Sequence, residues 1–145
     1  MTTVLTRTVA RALFLPALVV AVAVLVKGYV APGDGFAAGV IAALAVLLQV
    51  VVFGLEQVRR HLRLQFAPTI AFTGLGIGLA VGFVPVLLGR PIMTHAPAPG
   101  DEVVHLGTLE LLTAVLFDIG VFLLVLGFAV SAITMLARAH ARRQG

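Results

Sequence analysis

Four long apolar stretches, separated by short polar segments, dominate the pattern of hydrophobic positions along this chain. The stretches run approximately over residues 12–31, 36–55, 67–89 and 111–137. Each is long enough for a helix that crosses the hydrocarbon core, which takes about 20 residues. None shows the two-residue alternation that a strand of a membrane barrel requires. The pattern predicts an all-α membrane protein, with residues 1–145 forming one domain of four transmembrane helices.

The composition is typical of an integral membrane protein. Hydrophobic residues make up 61% of the sequence and charged residues 11%, and the mean hydropathy is +1.15. Soluble domains are only about half apolar. Four spans leave no room for a separate soluble domain, so we expect the chemistry to lie in the membrane, in short loops or on a partner. The chain has no cysteine, which excludes disulfides and thiolate sites.

The basic residues predict how the chain is oriented. Eight of the ten Lys and Arg residues fall next to helix ends that would share one side: Arg7, Arg11, Arg59, Arg60, Arg63, Arg138, Arg142 and Arg143. The positive-inside rule places that side in the cytoplasm. Both termini are therefore predicted to be cytoplasmic, with the turn at residues 32–36 and the loop at residues 90–110 outside. The same distribution explains the net charge of +4 as a topology signal and argues against a nucleic-acid partner.

The first apolar stretch also allows a second interpretation. Arg7 and Arg11 precede it, and Ala21 to Ala23 offers small residues, as in a cleaved signal peptide. Cleavage would leave three spans with the termini on opposite sides. Topology mapping distinguishes the two arrangements.

Asp118 is the one charged residue in the last apolar stretch. It lies about 10 Å into the predicted span at 1.5 Å per residue, where an exposed charge costs at least about 2.5 kcal/mol. We therefore expect it to face the helix bundle and not lipid. Two roles stay open: a relay group for protons or cations, and a structural carboxylate that is hydrogen-bonded within the bundle.

Four further polar residues are predicted at the outer side, namely Lys27, Asp34, His105 and Glu110. Lys27 ends the first span, so it is a candidate counter-charge for Asp118 or Asp34. Glu110 and Asp118 are eight residues apart, about 12 Å along a helix axis. They can be steps on one path but cannot touch.

Glycines in the third stretch predict a surface for close helix contact. Gly74, Gly78 and Gly82 are spaced four apart and so lie on nearly one helix face. Such a face lets another backbone approach closely in the membrane. The partner helix can belong to this chain or to another.

The remaining polar residues show no pattern of a catalytic or metal site. The histidines are scattered, with no ligand spacing among them: His61, His95, His105 and His140. Ser131 has no neighbouring histidine base in the sequence, and no phosphate-binding glycine motif is present. We expect neither a metal nor a cofactor.

Two stretches, in this order, are familiar together. The first is PGDGF at residues 32–36 followed by a glycine, and the second is LFDIGV at residues 116–121, with a Gly-Thr pair upstream at residues 107–108. The chain resembles the MnhB family, the B subunits of the Mrp (Mnh) sodium/proton antiporters, over most of its length. The residues that match the family motifs, besides Asp118, are Pro32, Gly33, Gly35, Phe36, Gly39, Phe117 and Gly120. Asp34 departs from the family pattern, which more often has glycine there.

The resemblance implies a small subunit of a hetero-oligomeric complex in a bacterial or archaeal cell membrane. Such complexes exchange cytoplasmic sodium for external protons and support pH and sodium homeostasis, and their large subunits are thought to carry the main ion paths. The chain would then be part of a secondary transporter and not an enzyme, with other antiporter subunits as partners. Two alternatives remain, a purely structural scaffold and a component of a related membrane-bound hydrogenase or complex I-like enzyme.

Overall fold

The computed structural model describes residues 3–28, 33–89, 91–93, 105–106, 109–110 and 113–144. The elements in chain order are α1 (Val4–Lys27), α2 (Gly35–Phe53), α3 (Leu55–His61), a 3-10 turn (Leu64–Phe66), α4 (Ala67–Leu87), β1 (His105–Leu106), β2 (Leu109–Glu110) and α5 (Thr113–Gln144). Four of the described helices, α1, α2, α4 and α5, are long and apolar enough to cross a membrane. The predicted fold class, with four transmembrane helices, is confirmed.

Local signals explain where the helices begin and end. The Thr3 side chain accepts a hydrogen bond from the backbone N–H of Thr6, so α1 begins at Val4, well before the apolar stretch. α2 ends at Phe53 because Gly54 takes a positive φ of 85°. The short helix α3 that follows was not predicted, because its charged sequence lacks an apolar run. α5 continues through the basic tail, since arginine is a good helix former.

The long helices lie side by side in the order α1, α2, α5, α4. The extensive helix contacts join α1 with α2, α2 with α5, and α5 with α4. α2 is therefore an inner helix, and half of its most apolar window is buried, against 11% for α1 and for α4. Many large apolar side chains on the outer helices are exposed, such as Val19, Phe72 and Phe83. In a bilayer these faces meet lipid or neighbouring subunits.

The buried core is concentrated at the end of the bundle where α2 meets α3. It consists of Val46, Val50, Val58, Leu64, Ala67 and Val130. The other buried positions of α2 are mainly alanine and glycine, for example Ala38, Ala42 and Ala43. Small side chains allow the backbones of neighbouring helices to approach, which favours association in a membrane.

The described part of the segment after α4 contains no helix. The backbone N–H of Met93 donates to the carbonyl oxygen of Gly82 at 3.1 Å, so the chain folds back onto the end of α4. β1 and β2 then form a two-residue antiparallel ladder before α5 begins. The prolines of this segment predict that it does not form a regular helix.

Candidate functional site

The Asp118 carboxylate is the centre of the site. Asp118 lies near the start of α5 and is 4% exposed. Its Oδ2 accepts a hydrogen bond of 2.8 Å from the backbone N–H of Gly33, in the turn between α1 and α2. The sequence separation of the two residues is 85, so this bond fixes a turn near one end of the chain to a helix near the other.

Two glycines, Gly28 and Gly35, allow the chain to pack closely against Asp118. A Cβ atom added at Gly28 would lie 2.9 Å from Asp118 Oδ2, and one added at Gly35 would clash with the Asp118 carbonyl oxygen. Any side chain at Gly35 would therefore push α2 away from α5. The end of α1, the turn and the start of α2 thus converge on one residue. We call Asp118 with Gly28, Gly33 and Gly35 the Asp118 site.

The two sequence motifs that carry the family resemblance meet at this site. The first supplies Gly33 and Gly35, and the second supplies Asp118. Further along α2, a Cβ at Gly39 would lie 3.0 Å from the carbonyl oxygen of Phe122 on α5. Gly35 and Gly39 are therefore positions where α2 packs closely against α5.

Other motif residues lie around the site without taking part in it. Phe36 is 61% exposed and belongs to the outer surface of the bundle. Phe117 and Gly120 face α4, where the Phe117 ring is 4.0 Å from the position of a Cβ at Gly78. Pro32 lies outside the described residues.

Lys27 pairs with Asp34 across the turn. Lys27 Nζ lies 3.2 Å from Asp34 Oδ2, and the side chains are 70% and 29% exposed, respectively. That oxygen has no well-aligned hydrogen bond and is itself shielded from solvent, so the contact is an ion pair without directional bonding. Of the two partners considered for Lys27, the structure brings it to Asp34.

Neutralising this ion pair is expected to change little, because Lys27 is mostly solvated. Lys27→Gln, Asp34→Asn and the double variant should form a cycle with a coupling energy of at most about 1 kcal/mol. Thermal unfolding of the full chain in detergent measures the coupling. A coupling energy well above this value would show that the ion pair holds the turn in place.

His105 and Glu110, the other two candidates, lie directly opposite each other in the β1–β2 ladder. Their Cα atoms are register partners, which places both residues just before α5. The sequence predicted only that both residues precede the last span, whereas the structure pairs their backbones in one ladder.

The glycine stripe of α4 meets α5 of the same chain. A Cβ added at Gly74 would clash with the backbone of Leu124 and with the carbonyl oxygen of Gly120. A Cβ added at Gly120 would lie 3.0 Å from the backbone nitrogen of Gly78, so the close contact continues to this glycine. The stripe also lines an apolar groove of about 270 Å³, to which Ile92 and Met93 contribute.

Gln49 is a buried polar residue that the sequence interpretation missed. Its Nε2 donates a 2.7 Å hydrogen bond to the carbonyl oxygen of Ala10, joining α2 to α1. Gln49 is 8% exposed. The available signal was an amide side chain within an otherwise apolar, uncharged span, since such groups commonly bond across membrane helices.

The geometry of the Asp118 site favours a structural carboxylate. A carboxylate in a membrane helix is stabilised when it accepts hydrogen bonds from backbone N–H groups. Here one such bond is present, from Gly33, and the position of a Cβ at Gly28 lies 2.9 Å from the same oxygen. The arrangement can hold three chain segments together.

The comparisons with known proteins agree with the geometry. Residues 5–131 match the family model described as a domain related to the MnhB subunit of the Na⁺/H⁺ antiporter. Among relatives, the B subunit of the Na⁺/H⁺ antiporter of Alkalihalophilus pseudofirmus is 36% identical over 110 residues, covering 76% of this chain and 75% of that protein. The corresponding protein of Bacillus subtilis is 34% identical over 107 residues, covering 74% and 73%. The A/B subunit of a probable K⁺/H⁺ antiporter of Rhizobium meliloti is 34% identical over 152 residues, covering 92% of this chain but 15% of that protein.

Proposed function

Because the chain belongs to the family of domains related to the MnhB subunit of Na⁺/H⁺ antiporters, we propose that it works as a small subunit of a multi-subunit cation/proton antiporter in a bacterial cell membrane. The relatives named as antiporter subunits support this role, and they favour it over a hydrogenase-like complex. Sodium is the proposed cation, since two of the relatives described are named for Na⁺ and one for K⁺.

Within the complex, we propose that Asp118 anchors the α1–α2 turn and does not relay protons. The observation that carries this role is the 2.8 Å hydrogen bond from Gly33 to a carboxylate that is 4% exposed. An anchored turn fixes how α1, α2 and α5 present their outer faces. Since those faces are the surfaces available to other subunits, the anchor supports assembly of the complex.

We further propose that both termini face the cytoplasm. The fold supports this orientation because Arg11 lies over the Phe53 ring at 5.0 Å, and Arg59 and Arg138 line one cavity, which places basic residues from α1, α3 and α5 at the same end. Since the chain has no cysteine, single cysteines at Thr3 and Met93 provide a clean test. A membrane-impermeant thiol reagent should label the first only in everted vesicles and the second only in right-side-out vesicles. The reverse pattern would invert the topology.

Vesicle transport of the whole complex tests the proposed function. The chain is expressed with its partner subunits in a strain that lacks sodium/proton antiporters, and sodium-dependent dissipation of ΔpH is measured in everted vesicles. Omitting this chain should abolish activity and reduce the amount of assembled complex. Full activity and full assembly without it would contradict a role in the antiporter.

A further inference from the structure

A basic pocket opens at the end of the bundle where α2 gives way to α3. Its volume is about 890 Å³. The rim carries three exposed arginine side chains, which are Arg59, Arg60 and Arg138, together with the exposed His61. Two separate elements, α3 and α5, supply them. The fold thus gathers on one cavity positive groups that are far apart in the sequence.

The positive charge on this rim is largely uncompensated. Glu56 is the one acidic residue lining the pocket, and its carboxylate is 3.7 Å from Arg59. Within the described part of the chain, Arg60 and Arg138 form no ion pair. The Arg11 guanidinium adds a further positive charge nearby, 5.0 Å from the centre of the Phe53 ring. The pocket therefore attracts an anion.

The floor of the pocket is apolar. Val50, Phe53, Leu55 and Ala137 line it beneath the charged rim. Phe53 is the last residue of the apolar helix α2, and Leu55 is the first of α3. The pocket therefore lies at the boundary of the hydrocarbon core, at the depth that lipid headgroups occupy.

We propose that the basic pocket binds an anionic phospholipid, with its phosphate held by Arg60 and Arg138 and its acyl chains lying along the apolar floor. Guanidinium groups bind phosphate oxygens in a two-pronged geometry that lysine does not offer. Basic pockets between membrane helices are suited to such headgroups. A free phosphate ion would satisfy the rim but not the floor, whereas a phospholipid matches both.

Photolabelling of the assembled complex tests this site. The complex that contains the full chain is placed in nanodiscs with photoactivatable phosphatidylglycerol or with a phosphatidylcholine of the same acyl chains. After irradiation, this chain is separated, its lipid adducts are quantified by intact mass, and the labelled peptides are identified by mass spectrometry after digestion. Phosphatidylglycerol should label it several-fold more than phosphatidylcholine, on peptides that contain Leu55 or Ala137.

Matched variants separate a built site from general attraction of charge. The Arg60→Gln/Arg138→Gln pair should reduce labelling by phosphatidylglycerol about fivefold per arginine. The control pair Arg7→Gln/Arg143→Gln removes the same charge from exposed positions that do not line the pocket, and it should change labelling less than twofold. If the first pair fails to assemble, Arg138→Gln alone should still reduce labelling about fivefold.

Four results would overturn the proposal. Equal labelling by the two lipids would indicate ordinary boundary lipid, and equal losses in both variant pairs would indicate bulk electrostatics. Complete competition by millimolar inorganic phosphate would make the ligand a free phosphate ion. Absence of lipid labelling in the assembled complex would indicate that another protein of the complex covers the pocket.

Discussion

Replacing Gly74 with leucine is expected to lower the stability of the folded chain by about 3 kcal/mol, at the upper end of what overpacking usually costs. A Cβ at this position would clash with the backbone of Leu124 and Gly120. Backbone atoms cannot rotate aside as a flexible side chain can. The two helices must therefore separate, and contact between α4 and α5 is lost along their length.

Gly76 provides the matched control on the same helix. A Cβ added there has no neighbour within 4 Å, so Gly76→Leu should change the stability by no more than about 0.5 kcal/mol. Thermal unfolding of the full chain in detergent measures both variants without the influence of other subunits. Equal melting temperatures for the two variants would show that the close contact at Gly74 does not stabilise the fold.

Replacing Asp118 with leucine is the second change with a large expected effect. Leucine cannot accept the hydrogen bond from Gly33, so a partly buried backbone N–H is left without its partner, at a cost of about 1–3 kcal/mol. The branched side chain also meets the tight surroundings of Gly28. We expect a lower melting temperature of the chain and a several-fold loss of assembled complex on native gels.

Asp34→Leu is the control for this second change. It removes a carboxylate from the same turn, but one whose partner, Lys27, is 70% exposed. The loss should be no more than about 1 kcal/mol, with assembly retained. An Asp118→Leu variant that assembles as well as Asp34→Leu would exclude the anchor role.

The sequence was sufficient to predict the number of membrane helices, because each apolar stretch is long and uninterrupted. It was not sufficient for α3, whose seven residues follow a helix break at Gly54. Residues so close to a helix end, with charged side chains, resemble a loop by hydropathy alone. Such a short helix forms because neighbouring helices hold it, as Val58 in the core shows.

The site was only partly accessible from the sequence for a similar reason. The cost of a charge in a membrane identified Asp118, but its partner is a backbone N–H at a separation of 85 residues. Backbone groups leave no signal in a sequence. The motifs at Gly33 and Asp118 belong to one site, and only the three-dimensional arrangement of α1, α2 and α5 shows that they touch.

The relay and anchor roles of Asp118 predict different effects on transport as well as on stability. A relay group must take up and release a proton, whereas an anchor needs only a hydrogen-bond acceptor. Asparagine at position 118 retains an acceptor oxygen of nearly the same size and cannot titrate. Asp118→Asn therefore separates the two roles in a single substitution.

The most direct measurement is sodium-dependent ΔpH dissipation by the Asp118→Asn complex in everted vesicles, normalised to the amount of assembled complex. If Asp118 anchors the turn, the variant assembles and retains more than about half of the wild-type activity, since the hydrogen bond from Gly33 is weakened and not lost. A complex that assembles fully but is inactive would contradict the anchor role and place a titrating group of the ion path at Asp118.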